Sequence, residues 1–320
     1  GAAGEAANMT VALIVDVGLA ILILFVAGWI VAVRSTFAAI IGFVVYGLLL
    51  SLVWVRLWAI DIALTEAAIG SGVTGALLLR TLSRLPVGHS ERPANGSFRF
   101  IAGLFCAFIS LAIAAVIVAL PEPAPTLAPE ASAGLSAIGV GNPVTAVLLS
   151  YRAFDTFLEK VVLVLALVGC WSLAADRDWG GRPVLWRYSD PDGVLKFLAQ
   201  TLPPIGVLVA IYMLWTGADH PGGAFQASAM LAAMWMLTIV AGLMRMPRTN
   251  DDLLRLTLIS GASAFLLLGF AGFGIAGSFL AYPPDYAKAL IVAVEIPMTI
   301  AVAATLVMLV AGPPQRGSVS

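Results

Sequence analysis

Runs of about 20 apolar residues, broken only by short polar stretches, constrain this chain more than any other feature. A helix needs about 20 such residues to cross a bilayer. The runs fall at roughly 10–33, 36–56, 62–80, 100–120, 155–175, 196–216, 224–244, 256–281 and 287–311. Of the 320 residues, 61% are hydrophobic and 11% charged, whereas a soluble domain carries about 25% charged residues. That leaves too little polar surface to cover a globule in water. The expected fold is all-α, a polytopic helical membrane protein of about nine spans. The ten-residue alternation of an outer-membrane barrel is missing, and a net charge of −1 gives nucleic acid nothing to bind.

The first run is not a cleavable signal, since no Lys or Arg precedes it and Asp16 interrupts it. Gly1 to Asn8 reads as a leftover, with Met9 a candidate native start. Cations set the orientation, because cytoplasmic loops collect Lys and Arg. With the N-terminus outside, only Arg56, Arg152, Lys160 and Lys288 of the 17 cations stay on the outer side. The C-terminus then lies in the cytoplasm, and the expected location is the cell's inner (plasma) membrane.

The loops divide the chain into residues 1–99, 100–193 and 194–320. A polar loop at 81–99 closes the first part. Residues 121–142, rich in Pro and Ala, read as an extended outer connector without a core. Residues 143–158 read as one amphipathic interfacial helix, and 176–193 as an inner loop with turn chemistry. Cys106 and Cys170 both sit inside apolar runs and read as packing residues.

Chemistry is expected where charge enters apolar sequence, because an ionisable group at membrane depth costs a few kcal/mol. In AIDIALTEAAIGSG, residues 59–72, Asp61 marks a hairpin tip and Glu66 lies about one and a half turns deeper. Thr65 offers a hydroxyl, and Gly70 permits close helix approach. Asp61 reads as a helix cap or an ion ligand, and Glu66 as a partner of Arg56 or a protonatable carboxylate on a path. In YRAFDTFLEKVV, residues 151–162, Arg152, Asp155 and Glu159 share one helical stripe. An interfacial anchor and a path carboxylate at Glu159 both fit. Lys160 is expected to snorkel to the outer interface.

In TGADHPGGAFQAS, Pro221 followed by Gly222 and Gly223 breaks the helix, with Asp219 and His220 just outside the break. In VAVEIPM, Glu295 lies some 12 Å into the last span at helical rise, and Pro297 frees a carbonyl close by. No cation of this chain is expected at that depth, so Glu295 is either protonated or partnered by another subunit. Asp16 in the first span is a weaker candidate.

At these residues a family resemblance appears. LTEAAIG with Asp61 resembles the PDVALTEAAVG hairpin of the MbhD-type domain, with Ile60 in place of the usual Pro. YRAFDTFLE is similar to the FRGFDTLGE signature of an MbhE-like segment, and GADHPGGAFQAS to the GHxxPGGGFQGG turn of the MnhB domain. Ala218 stands at the usual His position, and His220 is out of register. The order implies the MnhB-type subunit of an Mrp-type multisubunit monovalent cation/proton antiporter. It would carry MbhD-like (1–99) and MbhE-like (100–193) parts ahead of an MnhB-like four-helix domain (194–320). The resemblance further implies large proton-pumping subunits and a small three-helix subunit as partners, within lipid, and a sodium pathway.

No metal-ligand cluster, phosphate loop or nucleophile constellation is present in the sequence, so a transporter subunit without enzymatic activity or cofactor is expected. All three lysines (Lys160, Lys196, Lys288) are expected near span ends, which disfavours a horizontal Lys–Glu proton relay. The resulting expectation is an accessory ion-translocating subunit using Glu66 and Glu295, with Glu159 and Asp61 secondary. The alternatives are a scaffold whose acids bind neighbouring subunits, or the same module in a redox-driven, hydrogenase-like pump.

Overall fold

The computed structural model describes residues 2–84, 96–185 and 193–315, with side chains from residue 8 onward. Parts of the 81–99 and 176–193 loops, with Arg92, Arg187 and Arg316, lie outside the described residues.

The apolar runs fold into long helices. In chain order they are α1 (Ala2–Ala32), α2 (Thr36–Arg56), α3 (Ile60–Arg84) and α4 (Gly96–Ala119). Short helices α5 (Ala128–Ala133), α6 (Leu135–Ile138) and α7 (Pro143–Tyr151) follow. The remainder are α8 (Ala153–Trp171), α9 (Val194–Thr216), α10 (Ala224–Val240), α11 (Asp252–Ile275) and α12 (Ala287–Ala311).

Nine expected spans thus correspond to nine long helices among the described residues, but seven are long and apolar enough to cross a membrane on their own. The run at 155–175 carries Asp155, Glu159 and Lys160. The run at 224–244 yields a helix of only 17 residues, ending at Val240. A further candidate is the pair Ala128–Ile138 and Pro143–Tyr151, bent by 86°.

Two local expectations are corrected. Residues 121–142 are not a coreless connector, because α5 and α6 form there and Ile138 and Val140 are buried in a core cluster with Leu149, Phe265 and Ile291. Residues 143–158 are not one helix. The backbone leaves helical geometry at Arg152 (φ −125°, ψ 36°), so α7 ends and α8 starts afresh. Asn142 starts α7 by accepting the Val144 N–H at 2.9 Å, with Pro143 in the first helical turn. Asn followed by Pro is the expected N-terminal chemistry.

Helix α12 is the axis of the C-terminal unit, and almost every residue from Val294 to Ala311 is buried. Gly261 brings α11 against it, since a Cβ there would lie 2.9 Å from Met298 Cα. Helix α3 carries a π-helical stretch at Glu66–Val73. At the far end of the bundle, β1 (Arg182–Pro183) pairs antiparallel with β2 (Pro314–Gln315). Buried Arg80 of α3 donates to the Val310 and Val184 carbonyls, tying the N-terminal helices to both.

Candidate functional site

Helix α10 begins at the Pro221–Gly222–Gly223 break, and the break is held by residues distant in sequence. Gly217 lies flat against Gly223, where a Cβ would come within 2.5 Å of the Gly223 Cα. Gly223 itself has φ +112°, a conformation that glycine adopts without steric cost. The Gly222 N–H donates to Asp61 Oδ1 at 2.8 Å. Asn142 Nδ2 donates towards Asp61 Oδ2 (3.3 Å), the Gly217 carbonyl (3.2 Å) and the His220 carbonyl (3.0 Å). Gln226 Nε2 reaches the Asp61 carbonyl at 3.2 Å and Thr65 Oγ1 at 3.1 Å. Asp61 is therefore a buried acceptor latching the α3 hairpin, the α7 cap and the α10 turn together.

Beneath this latch lies a cavity of roughly 380 Å3, walled by α3, α7, α8, α10 and α12. Its polar lining includes Asp61, Thr65, Glu159, Lys160, Gln226 and Glu295. Glu295 is 3% exposed. Its Oε1 accepts the Ala224 N–H at 3.3 Å, at the N-terminus of α10, where the helix dipole favours negative charge. Its Oε2 is buried and has no hydrogen-bond partner among the described residues.

Lys160 faces the same cavity. It is 4% exposed, with Nζ 4.1 Å from the Phe225 ring centroid and 3.3 Å from Glu159 Oε1. This corrects two expectations: Lys160 does not snorkel outward, and a cation of this chain does share a cavity with Glu295. The helix break at Arg152 is the cause. With α8 starting at Ala153, Lys160 sits about 10 Å into the helix at helical rise and on its inward side. Burying a charge is costly unless it is paired, and this one cavity gathers two carboxylates and an ammonium. Pairing and the Phe225 face offset part of that cost.

The remaining candidates separate from this cluster. Glu66 does not line the cavity. Its carboxylate lies against Gly70 and Gly47, close to the buried Ser71, whose hydroxyl has no partner among the described residues. A Cβ on Gly70 would collide with Glu66 Oε1, so the glycine makes room for the acid. The alternative pairing of Glu66 with Arg56 does not form; Arg56 binds Asp16 at 2.6 Å across α1 and α2. Asp16 is thereby half-exposed and remote from the cavity.

Arg152 pairs with Asp155 as the spacing allows, and both are exposed. Pro221 is exposed, and so is His220. Pro297 sits within an unbroken α12, its carbonyl 3.5 Å from Ser260 Oγ. Asp219 binds Lys288 at 2.6 and 2.8 Å and accepts the Gly141 N–H at 3.1 Å. The Lys288 hydrogen bond, partly opposed by desolvation, holds this carboxyl below the usual aspartate range.

Sequence reasoning missed Asn142, Gln226 and the inward placement of Lys160. The Asn–Pro pair signalled the cap at Asn142 and Gln226 lies in the glycine-turn motif, but nothing local showed that both converge on Asp61.

Comparison with known proteins agrees with this architecture. Residues 21–87 match the MbhD family model, which describes a component of the MBH complex. Residues 194–312 match the domain related to the MnhB subunit of Na+/H+ antiporter. An uncharacterized protein of Methanocaldococcus jannaschii is 30% identical over 156 residues, 44% of this chain and 60% of that relative's length. The chain thus spans less than two thirds of it.

The Mrp complex structure from Dietzia sp. DQ12-45-1b includes a chain of similar fold. That chain has a TM-score of 0.73 and 24% identity, and the match covers 94% of this chain and 35% of that one. The archaeal membrane-bound sulfane sulfur reductase structure matches with a TM-score of 0.54 and 21% identity, covering 66% of this chain and 96% of that one. With an MbhD region ahead of an MnhB domain, on a fold found in an Mrp complex, this chain belongs with the MnhB-type subunits of Mrp-type antiporters.

Proposed function

We propose that the chain is an accessory membrane subunit of a multisubunit monovalent cation/proton antiporter-type complex, and that the Glu159–Lys160–Glu295 cavity forms part of its ion path. One observation carries this reading: a buried carboxylate oxygen without a protein partner and a buried ammonium line the same cavity. Lys160 supplies a charge that an entering cation or proton must rearrange, and Glu295 supplies the acceptor. Glu66, beside Ser71 in the π-helical part of α3, serves a second polar station outside the cavity. Partners in this reading are large proton-pumping subunits and a small three-helix subunit, in the cell's inner membrane with the N-terminus outside. The MbhE-like segment contributes Glu159 and Lys160, and no bound cofactor is needed for this role.

The scaffold reading has its own support, because Asp61 and Asp16 are both fixed to partners within the chain. Glu295→Gln and Glu66→Gln in the whole complex, scored separately for assembly and for Na+/H+ exchange, separate the two. The ion-path reading expects assembled complex with exchange reduced at least about tenfold for Glu295→Gln, the size of a lost proton-transfer group. Loss of assembly in both variants favours the scaffold, and normal exchange from assembled variants overturns the path.

A further inference from the structure

Glu295 Oε2 has a counterpart on the connection between α11 and α12. The hydroxyl of Tyr282 is also buried and also without a hydrogen-bond partner among the described residues. Its ring packs on the core cluster that contains Ala218 together with Ile291, Val294 and Met298, the last three flanking Glu295 on α12. Tyr282 does not line the Glu295 cavity, and it lies at the end of the bundle that carries the Asp219–Lys288 pair. A buried phenol usually finds a partner, and leaving one unmet costs about 1–3 kcal/mol. Two such atoms on neighbouring elements, one a carboxylate acceptor and the other both donor and acceptor, suit a shared mobile partner.

We propose that the Tyr282 hydroxyl is the relay through which protons pass between the Asp219 end of the bundle and Glu295. The step balances without a charged tyrosine. The hydroxyl gives its proton to a water hydrogen-bonded between the two groups, and that water gives one of its own to Glu295 Oε2. Water at the Asp219 end then reprotonates the hydroxyl. One proton has moved, and the phenol is unchanged. Burial and the nearby Glu295 charge push the Tyr282 phenol up to about 12, in keeping with a group that passes protons while staying neutral. The other charged groups around the two residues are Lys160 and Glu159 on α8 and Asp61 on α3, all lining the cavity, and the Asp219–Lys288 pair.

The inference rests on the cavity reading above and fails separately from it. Tyr282→Phe removes the hydroxyl and keeps the ring. The assay is Na+/H+ exchange by the whole complex in membrane vesicles, with Glu295→Gln measured alongside. Expected for Tyr282→Phe are normal assembly, a maximal exchange rate lower by about tenfold or more, and an unchanged sodium concentration for half-maximal rate. Normal exchange with Tyr282→Phe while Glu295→Gln is inactive overturns the relay and leaves the cavity reading standing. Normal exchange in both overturns both. Loss of assembly in Tyr282→Phe assigns the hydroxyl a structural partner and overturns the relay as well.

Discussion

The Asp61 carboxylate accepts the backbone N–H of Gly222 across 2.8 Å, joining positions 161 apart in the chain. Through this bond, the tip of the MbhD hairpin fixes the turn that starts α10 and therefore the Ala224 N–H that holds Glu295. Asp61→Ala is expected to destabilise the complex by about 1–3 kcal/mol, since it strands the Gly222 N–H and frees the Asn142 amide. Asp61→Asn keeps one acceptor oxygen and should fall between alanine and wild type. Unfolding of the purified complex, followed by heat or denaturant, checks the order.

Gly217 has no room for a side chain against the Gly223 backbone. Because backbone, unlike a side-chain end, does not yield, Gly217→Ala should cost at least about 1–3 kcal/mol, the usual range for overpacking. It should also lower the yield of assembled complex. Gly169→Ala, with open space around its Cβ position, is the control expected to leave yield unchanged.

Much of this fold is legible in the apolar periodicity, but the site is only partly so. The nine runs located the long helices, and the glycine turn at 221–223 and the acids at 61, 159 and 295 were each visible in their motifs. Lys160 was misplaced because its direction depends on where α8 begins. That start is set by a single non-helical residue, Arg152, in a stretch whose charge stripe suggests an unbroken helix. Asn142 and Asp61 were each readable as caps, but their union at one turn depends on tertiary packing of α3 against α10. Asp16 looked like an intramembrane acid until α1 packed on α2 and brought it to Arg56. Local pattern shows that a charge lies at depth, not which neighbour meets it.

The Asp219–Lys288 pair gives a pH dependence of known sign. A carboxyl held below its unfolded value of 3.8 contributes stability at pH values above that figure. The contribution is lost as the pH falls through the depressed value. Both side chains are more than 40% exposed, so solvent screening keeps the pair to less than about 1 kcal/mol. Lys288→Ala should therefore lower the unfolding temperature slightly at neutral pH. The difference from wild type should vanish as the pH drops through the acidic range, and unfolding scans across that series measure it.

The most direct measurement is a double-mutant cycle on Lys160 and Glu295, read as Na+/H+ exchange by the reconstituted whole complex. If both act through one cavity, Lys160→Met, Glu295→Gln and the double variant should each assemble. The double variant should then lose little more exchange than the more damaging single variant, the non-additivity of groups that act as a unit. Losses that simply multiply, or exchange that survives in all three, would contradict a shared path through this cavity.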